Sequence, residues 1–99
     1  MTNIAINGFG RIGRLFFRQM VNEKTAQVVA INDLGSIENL AYLLQYDTVY
    51  GKFAKKVEAQ KDGLLVGGRK VQVLQEKDPA KLPWGKLGVD IVIEATGVF

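Results

Sequence analysis

Gly8, Gly10 and Gly13 stand in the run Asn7-Gly8-Phe9-Gly10-Arg11-Ile12-Gly13, and an acidic residue, Asp33, closes the apolar segment that follows. Residues of these types at this spacing can hold a pyrophosphate and the sugar next to it. Gly8 permits a tight turn, Gly10 lets the main chain approach phosphate oxygens with no side chain between, and Gly13 lets a helix lie close to a strand. Free N–H groups in the first turn of that helix, together with the positive end of its dipole, then stabilise the negative charge. A carboxylate at Asp33 can accept hydrogen bonds from both hydroxyls of a ribose.

For that chemistry the glycines need a strand before them and a helix after them. Ile4-Ala5-Ile6 predicts a buried strand, and Ile12, Leu15, Phe16 and Met20 recur at the spacing of one helical face, with Arg11, Arg14 and Arg18 on another. Beyond the polar turn Asn22-Glu23-Lys24-Thr25, the run Val28-Val29-Ala30-Ile31 is apolar at consecutive positions, as a strand covered on both faces of a parallel sheet should be. The three elements make a βαβ unit. A competing reading is that the glycines only make a turn and Asp33 only caps the next segment.

Further along, Ser36 is placed to cap a helix whose apolar stripe is Ile37, Leu40, Ala41, Leu43 and Leu44 and which ends near Tyr46-Asp47. From Val57 to Leu74 the period changes to strand alternation, with hairpin turns expected at Asp62-Gly63 and Gly67-Gly68, so a small β-meander is predicted there. A short segment with Trp84 leads to Asp90-Ile91-Val92-Ile93-Glu94-Ala95, a candidate buried strand followed by Thr96-Gly97. Ligands of open α/β sheets sit at the carboxyl ends of the strands, which puts these last residues on the same crevice as the glycine loop.

Composition narrows the chemistry. The 99 residues, 47% of them hydrophobic, suffice for one core. There is no cysteine and no histidine, so the chain offers no thiol nucleophile, lacks the usual general base near neutral pH, and has no catalytic or metal-binding residue that we would assign. The net charge of +3 arises mainly in the second half, spread over hairpins and loops, which predicts a solvated face or a steering field for an anion rather than specific nucleic-acid binding. No secretory signal or membrane-spanning segment is recognisable, so a cytoplasmic protein is expected.

The chain resembles the amino-terminal part of glyceraldehyde-3-phosphate dehydrogenases. The resemblance rests on Ile6 to Arg14, on Asn32-Asp33-Leu34, and on the Y-D-x-x-x-G-x-F pattern from Tyr46 to Phe53. It continues through Glu76 to Pro79, the Trp84 segment and Glu94 to Phe99. It implies a Rossmann-type α/β fold: the first portion of a doubly wound parallel sheet with an inserted β-meander. Residues 1–99 would be an incomplete NAD-binding domain whose catalytic domain is absent from this chain.

By the same resemblance Arg11 and Ile12 match residues whose amides meet the pyrophosphate, and Asp33 matches the carboxylate on the adenosine ribose. Lys77 lies by main chain at the adenine, and Thr96, Gly97 and Phe99 form the far wall of the pocket. The family usually has Arg where this chain has Lys77, and often His where it has Tyr50. Tyr46 and the loop to Phe53 read equally well as a subunit contact or as core aromatics. NAD is the expected cofactor, the rest of the subunit and a homotetramer the expected partners. The family's cysteine nucleophile and histidine base would lie further along than these residues. An erythrose-4-phosphate dehydrogenase and a stand-alone nucleotide-binding module without catalysis are the alternatives.

Overall fold

A computed structural model describes residues 1–47 and 51–96. β1 (Thr2–Asn7), α1 (Arg11–Met20) and β2 (Ala26–Asn32) form the opening βαβ unit. They are followed by α2 (Ile37–Gln45), the short pair β3 (Tyr46–Asp47) and β4 (Gly51–Lys52), then β5 (Val57–Gln60), β6 (Gly63–Val66) and β7 (Arg69–Leu74). A 3-10 turn at Pro79–Lys81 leads to β8 (Ile91–Glu94). Six strands form one sheet in the order β5-β6-β7-β2-β1-β8. Within it β7, β2, β1 and β8 are parallel, while β5 and β6 extend the sheet antiparallel. This is a Rossmann-type arrangement, with the chain reversing its direction of growth between β1 and β8.

The stretch from Val57 to Leu74 is a meander, as its alternation predicts, but it is not a separate insertion. β7 is at once its last strand and a parallel neighbour of β2, with Ala30, Ile31 and Asn32 opposite Gln72, Val73 and Leu74. Val71 and Val73 are buried with Leu64 and Val66 in the common core, an apolar surface that three isolated strands could not cover. The first hairpin turn is Lys61-Asp62, and Gly63 opens β6 instead of turning. A Cβ on Gly63 would run into the Val71 carbonyl oxygen, so close strand pairing explains the glycine. Gly67 and Gly68 do turn, with φ of 56° and 85°.

Helix α1 is rotated from the expected face. Its buried residues are Gly13 and Phe17, whereas Ile12 is 68% exposed. Gly13 sits so near β1 that a Cβ there would meet the Gly8 carbonyl oxygen and come within 3.2 Å of Ile6 Cγ2. That approach sets the rotation and points Phe17 between Phe9 and Phe53, edge-on to both at centroid distances of 5.8 and 6.5 Å. Arg18 is not a solvated charge either. Its Nη2 donates to the carbonyl oxygens of Leu44 (2.7 Å) and Gly51 (3.0 Å), and its guanidinium lies 5.2 Å from the Phe53 ring centroid. It thereby satisfies a carbonyl at the negative end of α2.

Helix α2 follows its sequence closely. Ser36 Oγ accepts from the Asn39 N–H at 3.1 Å, and Leu40, Ala41 and Leu44 are buried. Gln45 is buried too: its Nε2 donates to the Phe53 and Lys55 carbonyl oxygens, and its Oε1 accepts from the Val57 N–H. This side chain ties the path toward the meander to the helix. Phe53 is core and Tyr46 is exposed beside Tyr42, while Tyr50 lies outside the described residues.

Among the described residues β8 is an edge strand that pairs only with β1, and Ile91 and Val92 are 47% and 38% exposed. An apolar edge with unpaired N–H and C=O groups is a template for another chain. We therefore expect the 99-residue chain to sediment as species heavier than 10.9 kDa, and Val92→Lys to shift it toward monomer. A monodisperse monomer of the unaltered chain would contradict this. No described helix is long and apolar enough to cross a membrane.

Candidate nucleotide-binding site

The carboxyl ends of the four parallel strands open on a cleft of about 760 Å³, a size suited to a ligand. Gly8, Gly10, Asp33, Lys77 and Thr96 all line it, so residues separated by most of the chain meet as the motifs predict. Arg11 and Ile12 are exposed at the start of α1, and Gly13 is buried beneath the loop. Gly97 and Phe99 lie outside the described residues.

Each loop glycine has its own physical reason. Gly8 has φ of 95°, and a Cβ on it would stand 2.7 Å from Thr96 N and 2.8 Å from Ala95 C. It lets the loop touch the chain leaving β8. Gly10 is unlike it: its φ is −78° and nothing lies within 4 Å of its Cβ position. Neither conformation nor packing demands glycine there, and the open space borders the cleft.

Gly10 is also the N-cap of α1, where it has no side chain to offer, and the first turn holds no acidic residue. Ser36 closes the corresponding end of α2. The sequence thus leaves one helix N-terminus without a side-chain cap and aims it at the cleft. Such an end attracts anions through its N–H groups and dipole, and Arg11 adds positive charge.

Asp33 stands beside this end. Its Oδ2 accepts from the Phe9 N–H at 2.7 Å and its Oδ1 from the Gly35 N–H at 2.9 Å. The carboxylate therefore braces the glycine loop, and each oxygen keeps a further lone pair for a donor in the cleft.

Sequence reasoning overlooked a row of polar side chains across the strand ends. Asn32 Nδ2 donates to Asn7 Oδ1 at 2.9 Å, Asn7 Nδ2 to the Glu94 carboxylate at 3.0 and 3.1 Å, and Thr96 Oγ1 to Glu94 Oε1 at 2.9 Å. The signal was present: β1 and β2 both end on asparagine, and Asn7 and Asn32 are register partners. Among the described residues no group of His, Cys, Asp or Glu is arranged to hold a metal ion.

Over residues 2–99 the sequence matches the family described as glyceraldehyde 3-phosphate dehydrogenase, NAD binding domain. The chain belongs to this family. It is 54% identical over its full length to glyceraldehyde-3-phosphate dehydrogenase 1 of Kluyveromyces marxianus, covering 30% of that protein. The Thermotoga maritima glyceraldehyde-3-phosphate dehydrogenase is likewise 54% identical, with 100% of this chain and 30% of that protein covered. For the Mycoplasma pneumoniae enzyme the identity is 52%, over 97% of this chain and 28% of that one. The chain thus spans about 30% of the length of these relatives. NAD is the cofactor of this glyceraldehyde-3-phosphate dehydrogenase domain, and the uncapped helix end beside a carboxylate suits its diphosphate and ribose.

Proposed function

We propose that the cleft takes the adenosine diphosphate side of NAD, and that the chain serves this role in a phosphorylating glyceraldehyde-3-phosphate dehydrogenase. The observation that carries the reading is the uncapped N-terminus of α1 opening on the same cleft as the Asp33 carboxylate. In this reading the amides of Arg11 and Ile12, with Gly8, Gly10 and Gly13 shaping their loop, bind the pyrophosphate, and Asp33 binds the adenosine ribose. The Lys77 main chain borders the adenine, and Thr96, Gly97 and Phe99 form the opposite wall.

The reaction oxidises an aldehyde to an acyl phosphate with hydride transfer to NAD. It needs a nucleophile and a base, which this sequence, without cysteine or histidine, does not contain. They would come from the part of the relatives' length that it does not match. The chain alone would bind nucleotide without turnover, and would act in the cytoplasm within a homo-oligomer. The relatives' names favour glyceraldehyde 3-phosphate over a longer phosphosugar aldehyde.

Calorimetric titration of the chain with NAD, NADP and adenosine diphosphate ribose tests this. NAD and adenosine diphosphate ribose should bind weakly and about equally, with NADP at least about tenfold weaker because of the charge at Asp33. A clear advantage of NAD over adenosine diphosphate ribose would show a nicotinamide contact that this assignment lacks. Absence of binding by both would overturn the site.

A further inference from the structure

The geometry points to a second binding site, at the end of the sheet opposite the nucleotide cleft, that takes a small apolar carboxylate: one ring or short carbon chain bearing a single acid group. It stands apart from the nucleotide reading and does not depend on it.

β2 and β7 pair only from Ala30 with Gln72 to Asn32 with Leu74, although the strands begin earlier, at Ala26 and Arg69. Their amino ends are therefore not zipped together. The last turn of α1 roofs this opening with Phe17 and Met20, while Val28 of β2, Val66 of β6 and Val71 of β7 line it from the sheet. What remains is a cavity of about 130 Å³. An apolar cavity of about 150 Å³ holds a benzene molecule, so this one suits a single ring whose substituent stays at the mouth.

The mouth carries positive charge. Lys55, Gly67 and Arg69 are exposed there. Gln45 Nε2 donates to the Lys55 carbonyl oxygen at 2.9 Å and the Gly67 N–H to the Lys56 carbonyl oxygen at 2.9 Å, which fixes this segment against the turn between β6 and β7. A Cβ on Gly67 would stand 3.1 Å from Lys55 Cδ, so the lysine stem lies along the bare turn. Nearby, Lys56 pairs with Glu58 at 3.0 Å and Lys70 with Asp62 at 2.6 Å, but among the described residues neither Lys55 nor Arg69 has an acidic partner.

Guanidinium and ammonium groups offer donors only, and a carboxylate is the complement of both. The opposite wall is the carboxyl end of α1, whose dipole disfavours negative charge. A ligand is thereby oriented, with its apolar part beside Phe17 and Val71 and its acid toward Lys55 and Arg69. A bare anion would leave the apolar floor wet, and an uncharged ring would leave the two cations unanswered.

Benzoate, benzyl alcohol and acetate, titrated separately into the whole 99-residue chain and followed by backbone amide spectra, test this. Benzoate should saturate with a Kd on the order of a millimolar, shifting the amides of Val28, Gly67 and Val71 and sparing Gly8 and Gly10. Benzyl alcohol should bind at the same place about three- to tenfold more weakly, and acetate should not saturate. Lys55→Met combined with Arg69→Gln, both at exposed positions, should bring benzoate down to the level of benzyl alcohol and leave benzyl alcohol unchanged. If association of the chain broadens the spectra, equilibrium dialysis with labelled benzoate reads the same ratios, and added NAD should not displace the label. Absence of benzoate binding overturns the site, as do affinity for acetate or benzyl alcohol equal to that for benzoate, indifference to the double substitution, or displacement by NAD.

Discussion

Asp33→Ala should bring the affinities for NAD and NADP together, removing a preference of very roughly ten- to thousandfold. A carboxylate about 4 Å from a 2′-phosphate charge opposes it by about 1 kcal/mol in water and about 4 kcal/mol at an effective dielectric of 20. At about 1.4 kcal/mol per factor of ten, those limits bracket the expected ratio. Asp33 also accepts the N–H groups of Phe9 and Gly35, so the alanine variant loses two braces of the glycine loop. Its stability should therefore drop by about 1–3 kcal/mol, and NAD itself should bind less well. The ratio separates the two effects. Slackening of the loop weakens both cofactors alike, whereas loss of the charge favours NADP alone. Paired calorimetric titrations that leave the ratio unchanged would show that this carboxylate does not meet the ribose.

Gly8→Ala and Gly10→Ala should differ sharply although both remove a glycine from one loop. At Gly8 the backbone lies at φ 95°, a region that disfavours an L side chain by about 1–2 kcal/mol. The added carbon would also press on the backbone at Ala95 and Thr96. Overpacking of this kind costs about 1–3 kcal/mol, so the sum is a large part of the about 5–15 kcal/mol that holds a domain folded. Urea denaturation should show that loss, and binding should go with it, because Thr96 and the loop are displaced together. At Gly10 the added carbon meets nothing and the backbone is ordinary. Gly10→Ala should keep its urea midpoint yet bind NAD at least about tenfold less tightly, since the methyl group stands where phosphate would approach. Normal binding by Gly10→Ala would mean that the phosphates do not come down on this loop.

These contrasts show which parts of the chain could be understood residue by residue. The βαβ unit, the Ser36 cap and the Gly67-Gly68 turn were legible because each depends on neighbours within a few positions. Glycine spacing and apolar period are local quantities, and they pointed to the cleft that Gly8, Gly10, Asp33 and Thr96 line, whereas Lys77 was placed there by family resemblance alone. The rotation of α1 was not legible in this way. Helical period alone favoured Ile12, but close contact of Gly13 with β1 turns Ile12 outward and Phe17 inward, a choice made by the strand and not by the helix.

The amino-acid sequence by itself determined the glycine loop between strand and helix, the acid that follows it and the family to which the chain belongs, because those features are carried by residue types at short fixed spacings. Only the tertiary structure decided that β7 joins the parallel sheet, that Arg18 closes α2, and that Asn7, Asn32, Glu94 and Thr96 link the strand ends in one row. Hydrogen bonds between distant residues require matched donors and acceptors at particular distances. Those distances exist only once the strands have found their neighbours.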